Sequence, residues 1–336
     1  MEHQHLRMKL KNSFNKHQFF SLINVANIRT DLLSNNFVNS KEKLLDFEDK
    51  TKGIPILIPA DEELFYFKKK DVFKIGETKL LETIYGLSDL SYIGFQHSFN
   101  KFEFLSKFEL KQHAENYVIN IINKNREVLD YLLFLKSKFK KIGAFQTRNI
   151  PHFGHEKIMN RMLENCDHLV INPLIGPKKK GDFTIDCLNH IYNYLIKNKY
   201  QNKLSFKPIF ANMFYAGPRE AFHHMLIRKN LGFNYFSVGR DHAGAQNAYP
   251  PMASSLFVKK NSTRSDISVF NHSGAFFCSI CQKMIIKGDC NHSENNFKNV
   301  SGTIFRSSIE NKVPFKYADK KMQNYLFESD LEVFEK

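Results

Sequence analysis

Long apolar runs and regularly spaced cysteines are both scarce in this chain of 336 residues. The N-terminal stretch MEHQHLRMKLKNSF contains no continuous apolar segment, so we expect neither a signal peptide nor a membrane span. Five cysteines, three of them clustered late in the chain, do not indicate a disulfide framework. These absences predict a cytoplasmic protein and leave a homo-oligomer open.

Acidic residues are also few relative to basic ones. There are 34 Asp and Glu residues against 49 Lys and Arg, which leaves a formal charge of +15. Such a charge favours anionic partners, namely nucleic acid, phosphates or sulfate. The abundance of Lys, Asn, Ile and Phe offers another explanation, a codon bias toward A and T. With 42% hydrophobic residues and no internal repeat, the chain is expected to form two or three globular domains.

From residue 141 onward, short apolar runs alternate with segments of helical periodicity. The expected strands are KIGAF, DHLVINPL, SFKPIF and NYFSVG, and a helical segment follows each of the first three. This alternation predicts a parallel sheet covered by helices, an α/β fold, and it stops near residue 262. Upstream, residues 115–139 predict a connecting helix, although the apolar pattern is interrupted near residues 123–126.

Polar clusters follow the four predicted strands: QTRN, NPLIGPKKKGD, YAGPRE and GRDHAG. Because ligands of parallel sheets bind beyond the carboxyl ends of the strands, we expect these clusters to meet in one site. In HFGH, His152 and His155 flank Gly154 where a helix begins, an arrangement suited to a phosphate. Thr147 has no paired base nearby, so group transfer by positioning and charge is favoured over covalent catalysis.

The ordered set QTRN, HxGH, NPLIGxxKxGD, AGPREAxxHxLIRKNxG and VGRDHAG resembles the ATP sulfurylase (sulfate adenylyltransferase) family. The resemblance runs from Ile142 to Gly244 and resumes near Phe277 to Leu326. It implies a Rossmann-like HxGH nucleotidyltransferase domain at residues 137–262, preceded by a PUA-like, β-rich domain at residues 1–136. A small C-terminal subdomain with a zinc site would occupy residues 263–336.

The resemblance also implies a reaction, in which sulfate attacks the α-phosphorus of Mg-ATP to give adenosine 5′-phosphosulfate and pyrophosphate. Sulfate would be bound by the side chains of Gln146 and Arg148 and by the backbone at Ala243. The catalytic residues would be Thr147, Arg148, Asn149, His152, His155 and Arg240. ATP would be bound by Gln146, Asn149, His152, His155, Lys179, Gly239, Arg240, Asp241 and His242. Mg²⁺ would enter with the nucleotide.

The sequence departs from the family pattern in three places. Lys178 stands where the family often has a threonine, before the matching Lys179. Pro151 is displaced by one position, and Phe153 stands where the family has an arginine, which removes a positive charge beside the phosphates. After GRDHAG, the segment AQNAYPPMASSL replaces a Gly/Tyr-rich stretch that ends in DAQ. Two alternatives therefore stay open: a related nucleotidyltransferase that adenylates another anion, and a non-catalytic RNA-binding protein with PUA-like and zinc-binding parts.

A cysteine and histidine cluster lies near the C-terminus. Cys278 and Cys281 form a CxxC pair, and Cys290 and His292 follow, which gives the ligand types and spacing of a closed structural zinc site. Many bacterial ATP sulfurylases carry a similar set in the same place, which strengthens the prediction. The alternative is that these are reduced thiols without a metal.

Overall fold

A computed structural model describes residues 12–30, 32–262, 266–300 and 302–335. Its N-terminal region contains helices α1 (Lys16–Arg29), α2 (Lys41–Leu45), α3 (Glu77–Tyr85) and α4 (Ile93–Ser98), and short strands β1 (Phe65–Tyr66), β2 (Val72–Lys74), β3 (Glu103–Leu105) and β4 (Glu109–Leu110). Strand β1 pairs with β4, and β2 pairs with β3, both antiparallel. Since each strand has only two or three residues, this region holds less strand than the β-rich domain that the resemblance implies.

Helix α1 shows why parts of the N-terminal region form helix rather than strand. Asn15 caps it by accepting hydrogen bonds from the backbone of His17 and Gln18, and the Gln18 side chain accepts from the backbone N–H of Asn15 in return. The apolar residues Phe19, Leu22, Ile23 and Ala26 are buried, and they recur at the spacing of one helix face.

The predicted connecting helix is present as α5 (Gln112–Lys136), which runs unbroken through residues 123–126, where the apolar pattern of the sequence is interrupted. Asn125 lies at its centre and is buried. Its side-chain amide accepts from the backbone N–H of Phe210 at 2.9 Å and donates to the carbonyl of Phe210 at 3.0 Å and to Asn27 Oδ1 at 3.1 Å. A buried amide with all these partners is compatible with a helix core, because its polar groups are satisfied by a distant segment.

The central sheet consists of β5 (Ile142–Phe145), β6 (His168–Ile171), β7 (Leu204–Phe206), β8 (Tyr235–Val238) and β9 (Ser268–Asn271). All five strands are parallel, in the order β7-β6-β5-β8-β9. The connecting helices are α6 (Phe153–Leu163), α7 (Ile185–Asn198), α8 (Gly217–Leu231) and α9 (Ala253–Asn261). The predicted parallel α/β fold is confirmed, and β9 extends the sheet beyond residue 262, where the alternation in the sequence stops.

The strand order places a topological switch between β5 and β8. The chain leaves β5 toward β6 on one side and returns to β8 on the other, so the loops at the carboxyl ends of these two strands diverge and leave a crevice. QTRN follows β5, and GRDHAG follows β8. Both predicted anion-binding clusters therefore border the same crevice.

The C-terminal part contains a three-stranded antiparallel sheet and two helices. The sheet has the order β11-β10-β12, from β10 (Ala275–Cys278), β11 (Lys283–Ile286) and β12 (Phe297–Asn299). Helices α10 (Gly302–Glu310) and α11 (Lys320–Phe327) follow it. Asp289, after β11, pairs with Lys157 at 2.8 Å and Arg161 at 2.5 Å, both on α6. These contacts hold the small sheet against the helix that begins with HFGH.

A buried arginine and a buried asparagine bind the N-terminal region to the central domain. Arg219, near the start of α8, donates to the backbone carbonyls of Gly53, Phe47 and Thr83. Asn212 donates to the carbonyl of Phe20 at 2.8 Å. Within the described residues, none of the helices has both the length and the apolar character needed to cross a bilayer.

Candidate active site

A cavity of about 860 Å³ opens at the carboxyl ends of β5 and β8. This is a size that holds a nucleotide and a small anion. Its lining includes eleven of the predicted site residues: Gln146, Thr147, Arg148, Asn149, His152, His155, Gly239, Arg240, Asp241, His242 and Ala243. The structure therefore brings together side chains that lie almost 100 positions apart in the sequence.

The loop after β5 is shaped by its own threonine. Thr147 Oγ1 donates to the carbonyl of Asn149 and accepts from its backbone N–H, both at 3.0 Å. Tyr192, on α7, donates to the same carbonyl at 3.2 Å. Thr147 therefore supports the turn that presents its neighbours, a role that its predicted place in the catalytic stretch did not specify.

Arg148 carries positive charge into the cavity. Its Nη2 donates to the carbonyl of Gly244 at 3.1 Å, and Nη1 lies 3.6 Å from Asp182 Oδ2. Nη1 is buried and has no hydrogen-bond partner among the described residues. Asp182 also contacts Lys179 Nζ at 3.1 Å and accepts from Tyr215 at 2.9 Å. Burial alone would raise the pKa of Asp182, but Arg148 and Lys179 lower it, so its carboxylate stays ionised and orients the guanidinium.

The two histidines of HFGH form the first turn of α6. His152 Nδ1 accepts from the backbone N–H of Gly154 at 3.0 Å, and His155 Nδ1 accepts from the backbone N–H of His152 at 3.4 Å. A ring whose Nδ1 accepts carries its proton on Nε2. Burial lowers the pKa of His155 to about 4 and that of His152 well below its usual value. Both rings are therefore neutral Nε2–H donors at neutral pH.

Gly154 makes this arrangement sterically possible. A Cβ atom at this position would lie 2.7 Å from Cε1 of His152 and 2.9 Å from its Nδ1. Any larger residue would push the imidazole away from the helix start. The glycine between the two histidines therefore allows the first ring to fold over the backbone N–H that it caps.

The loop after β8 adopts unusual backbone conformations. Asp241 and Ala243 have φ values of 52° and 59°, in the left-handed region that side chains rarely occupy. The carbonyl of Pro251 accepts from the N–H of Asp241 at 2.8 Å, and the carbonyl of Ala243 accepts from Gly217 at 3.1 Å. Backbone held in this way at a cavity is typical of a site where main-chain groups contact a ligand.

Several residues of the cavity were not predicted from the sequence. Arg306, on α10, donates to Asn149 Oδ1 at 2.6 Å and reaches the cavity from the C-terminal part. His272 follows β9, accepts from Gly274 at Nδ1 and so donates from Nε2 to Ser237 at 3.0 Å. A strand assignment for ISVF would have indicated His272, because the polar residues NHSG follow it as they do the other strands.

The first two lysines of PKKKG take different positions. Lys178 lines the cavity, and its Nζ donates to the carbonyl of Phe183 at 3.2 Å. Lys179, the predicted ATP ligand, is not among the lining residues, and it pairs with Asp182 instead. His224 is fully buried and contacts Gln146 and His242.

The cysteine and histidine cluster is assembled around the turn between β10 and β11. One ligand atom from each of Cys278, Cys281, Cys290 and His292 lies within 4.8 Å of all the others. The backbone N–H of Cys281 points at Cys278 Sγ at 3.4 Å, and Cys281 Sγ lies 3.2 Å from His292 Nδ1. Three thiols and an imidazole this close are suited to a metal ion such as zinc.

Comparison with known proteins identifies the family to which these features belong. A family model described as ATP-sulfurylase matches residues 131–326. The protein named sulfate adenylyltransferase from Ignicoccus hospitalis is 37% identical over 271 residues, which are 79% of this chain and 68% of that protein. Its namesake from Thermococcus onnurineus is 32% identical over 283 residues, 83% of this chain and 70% of that protein. The chain belongs to the ATP-sulfurylase family.

A solved structure supports the fold separately. The hexameric APS kinase from Thiobacillus denitrificans superposes with a TM-score of 0.59, over 96% of this chain and 65% of that one, at 12% sequence identity. At that identity the likeness concerns the fold only. The predicted membership of the ATP-sulfurylase family is confirmed by the family model and the relatives, and the fold by the superposition.

The departures from the ATP-sulfurylase pattern have structural counterparts. Phe153 supplies no charge, and its backbone N–H donates to the carbonyl of Tyr317 at 2.7 Å. The cation beside Asn149 comes from Arg306. In the segment after Gly244, Tyr249 lines the cavity, donates to the carbonyl of Tyr85 at 3.0 Å and packs its ring against Gly217. Gly217 has φ 52°, and a Cβ there would lie 2.4 Å from that ring.

Proposed function

We propose that this protein is a sulfate adenylyltransferase that converts ATP and sulfate to adenosine 5′-phosphosulfate and pyrophosphate. The observation that carries the proposal is the set of anion-binding donors in one crevice: Arg148 and Arg306, and the two neutral imidazoles at the start of α6. The curated relatives share the name of this activity, and the chain spans about two thirds of their length. Neither alternative from the sequence analysis gains a comparable observation.

On the sulfate side, we assign Gln146, Arg148 and the backbone at Ala243 to the anion. The Nη1 group of Arg148 is a buried donor that lacks a hydrogen-bond partner within the described chain, and a guanidinium binds oxyanions strongly. Asp182 Oδ2 lies 3.6 Å from Nη1, too far for a hydrogen bond, and its charge helps to fix the direction of the guanidinium. A charged donor held in place in this way stabilises an anion without reorganisation during the reaction.

On the nucleotide side, we assign Asn149, His152, His155 and residues 239–242 to ATP. The Nε2–H groups of the two histidines and the N-terminus of α6 face the phosphates that leave as pyrophosphate. Arg306 adds positive charge there, in place of the arginine that Phe153 replaces. We do not retain Lys179 as a direct ligand, since it pairs with Asp182 outside the cavity lining.

The chemistry needs no general base. A sulfate oxygen forms a bond to the α-phosphorus while the bond from that phosphorus to the bridging oxygen of the β-phosphate breaks, and both electrons leave with pyrophosphate. Sulfate is already an anion, so the barrier to be lowered is the repulsion between two anions, and arginines and N–H donors lower it. Mg²⁺ bound to ATP would supply positive charge that screens the phosphates.

We also propose that the cluster of Cys278, Cys281, Cys290 and His292 holds a structural zinc ion. Four protein ligands fill a tetrahedral site, so the ion would leave no position for substrate. The cluster is tied to α6 through Asp289 and its two basic partners, so the metal would support the helix that carries His152 and His155. We expect a cytoplasmic enzyme.

The decisive experiment is anion-dependent release of pyrophosphate from Mg-ATP by the purified protein. We expect turnover with sulfate and with the analogues selenate and molybdate, and none without an oxyanion. The same purified preparation, incubated with labelled RNA over a range of salt concentrations, serves as the comparison for the RNA-binding alternative. Absence of turnover with all three anions would overturn the proposal.

A further inference from the structure

Behind Gln146, which lines the cavity, lies a buried carboxyl–imidazole pair on α8. Glu220 and His224 are one helical turn apart, and neither side chain is exposed. Glu220 Oε1 accepts from the backbone N–H of Phe214 and Oε2 from that of Ala216, both at 2.8 Å. His224 Nε2 lies 3.1 Å from Glu220 Oε1, yet it makes no well-formed hydrogen bond within the described residues. The two groups are close enough to share a proton after a small rotation.

The other side of the imidazole faces the predicted sulfate ligand. His224 Nδ1 lies 2.9 Å from Nε2 of Gln146 and 3.3 Å from Nε2 of His242. The second end of the Gln146 amide, Oε1, is buried and has no hydrogen-bond partner in the described part of the chain. In this arrangement Gln146 directs its donor at the histidine and leaves its acceptor unpaired.

That orientation does not suit an anion. A carbonyl oxygen repels an oxyanion, whereas the NH₂ group of the same amide would donate to it. The two ends of a glutamine amide are nearly identical in size, so the side chain can turn over within the same space. After the turn, Oε1 of Gln146 faces His224 Nδ1, which must then carry a proton.

The number of protons on the Glu220–His224 pair decides which orientation of the Gln146 amide is stable. With an ionised Glu220, a neutral His224 keeps its proton on Nε2, toward the carboxylate, and Nδ1 can only accept. If the imidazole proton moved to Nδ1, the lone pair of Nε2 would face a carboxylate. One additional proton, on Glu220, removes this repulsion, because the carboxyl group then donates to Nε2 while Nδ1–H donates to Gln146.

We propose that the Glu220–His224 pair takes up one proton when sulfate binds, and that this proton holds the NH₂ group of Gln146 toward the anion. The inference rests on the proposed function, because it takes Gln146 as a ligand of sulfate. Glu220 and His224 are then positioning residues, since neither contacts the substrate.

The surroundings direct the added proton to the carboxyl group. Arg228 donates to the carbonyl of His224, and Arg148 lies on the cavity side, so a further cation on the ring is unfavourable. Burial lowers the pKa of His224 well below its usual value and raises the pKa of Glu220 to about 7. Burial also keeps the adjacent groups uncharged: it lowers the pKa of His223 and His242 and raises that of Tyr85, Tyr92 and Tyr249.

The protonation state of Glu220 sets the direction in which sulfate binding changes with pH. The form that favours sulfate has Glu220 protonated, so it is populated below the pKa of about 7 and lost as the pH rises through it. Sulfate binding should therefore weaken by up to about tenfold for each pH unit above that value, the slope expected for one linked proton. Sulfate itself stays a dianion over this range, so the change belongs to the protein.

Calorimetry measures the proton directly. Sulfate is titrated into the protein with the non-cleavable analogue α,β-methylene-ATP, in two buffers of different ionisation enthalpy. We expect uptake of nearly one proton per sulfate at about pH 8 and little uptake at about pH 6, on either side of the Glu220 pKa. Zero uptake at both pH values by protein that binds sulfate would overturn the inference.

Variants then locate the proton. In Glu220→Gln, the group beside His224 no longer titrates, so the KM for sulfate should become independent of pH. His224→Asn, which keeps an amide beside Gln146 but cannot reach Glu220, should lose the dependence as well. Glu156→Gln is the control, because it removes another buried carboxylate, which pairs with Lys199 on the far side of α6. This variant should keep the wild-type pH dependence.

The outcomes separate this inference from the proposed function. Failure of the wild-type protein to release pyrophosphate with any oxyanion refutes the function itself. An active wild-type enzyme whose KM for sulfate is constant between about pH 6.5 and pH 8.5 refutes only the proton linkage. Retention of the wild-type pH dependence in both Glu220→Gln and His224→Asn would also refute it.

Discussion

Removal of the Arg148 guanidinium is the sharpest test of the anion site. Arg148 side-chain accessibility is 23%, and its Nη1 is buried without a hydrogen-bond partner in the described chain. Arg148→Ala deletes this charged donor from the proposed sulfate side of the cavity. Loss of one preorganised donor of this kind costs about 3 kcal/mol of transition-state stabilisation, which corresponds to a loss of about a hundredfold or more in kcat/KM.

The protein should still fold after this substitution. Asp182, the acidic partner of Arg148, keeps Lys179 at 3.1 Å and Tyr215 at 2.9 Å, so no carboxylate is left unpaired. A thermal melt close to that of the wild type is therefore expected, and pyrophosphate release measures the activity. Added guanidinium ion should restore part of the activity to Arg148→Ala, because the deleted side chain leaves space for it.

The control must be an arginine outside the cavity. Arg29 pairs with Glu115 at 2.5 Å on the surface, where such pairs contribute at most about 1 kcal/mol to stability, so Arg29→Ala should keep wild-type activity. His223→Ala would be a poor control, since His223 is buried and accepts from the backbone N–H of Ile54 at 3.1 Å. If Arg148→Ala retained kcat/KM within about threefold of wild type, where a lost donor predicts a hundredfold, the assignment of the anion site would be wrong.

Three further predictions concern neighbouring features. Gly154→Ala should lower kcat at least about tenfold, because the new Cβ displaces the His152 ring and its Nε2–H donor. Gly76→Ala is the control and should leave kcat unchanged, since no atom lies within 4 Å of its Cβ position. Equal rates for the two variants would refute the steric argument. Arg306→Gln keeps a hydrogen bond to Asn149 but not the charge, so the KM for ATP should rise about tenfold, and an unchanged KM would remove Arg306 from the nucleotide side. Cys281→Ser should lower zinc content and the melting temperature together, the latter by roughly 5–10 °C, whereas Cys166→Ala should keep its zinc. Elemental analysis that finds no zinc in the wild-type protein would contradict the metal assignment.

The sequence was most informative where chemistry is local. QTRN, HFGH and GRDHAG each follow a predicted strand, and the order of elements in a parallel sheet is enough to bring them to one edge. The four metal-ligand candidates lie within 15 residues of one another, so their spacing alone indicated a cluster. In both cases the partners are neighbours along the chain or along one face of the fold, and periodicity and spacing carry that information.

Other features were decided by contacts between distant segments. Asn125 disrupts the helical pattern of the sequence, but α5 continues through it because Phe210 and Asn27 satisfy the amide. Strand β9 escaped prediction because it lies at the edge of the sheet, where its residues are only partly buried and its apolar pattern is weak. With β9 unassigned, His272 could not be placed in the cavity.

The sequence by itself thus determined which chemical groups the site would contain, since strand ends and a helix start present the side chains next to them. Only the tertiary structure decided how those groups are held and charged. Arg306 lies 157 positions from Asn149, and His224 lies 78 positions from Gln146. The burial that makes His152 and His155 neutral, and that brings Glu220 to a pKa of about 7, arises from the packing of many segments around them. Desolvation depends on everything that surrounds a group in space, and no spacing along a chain encodes it.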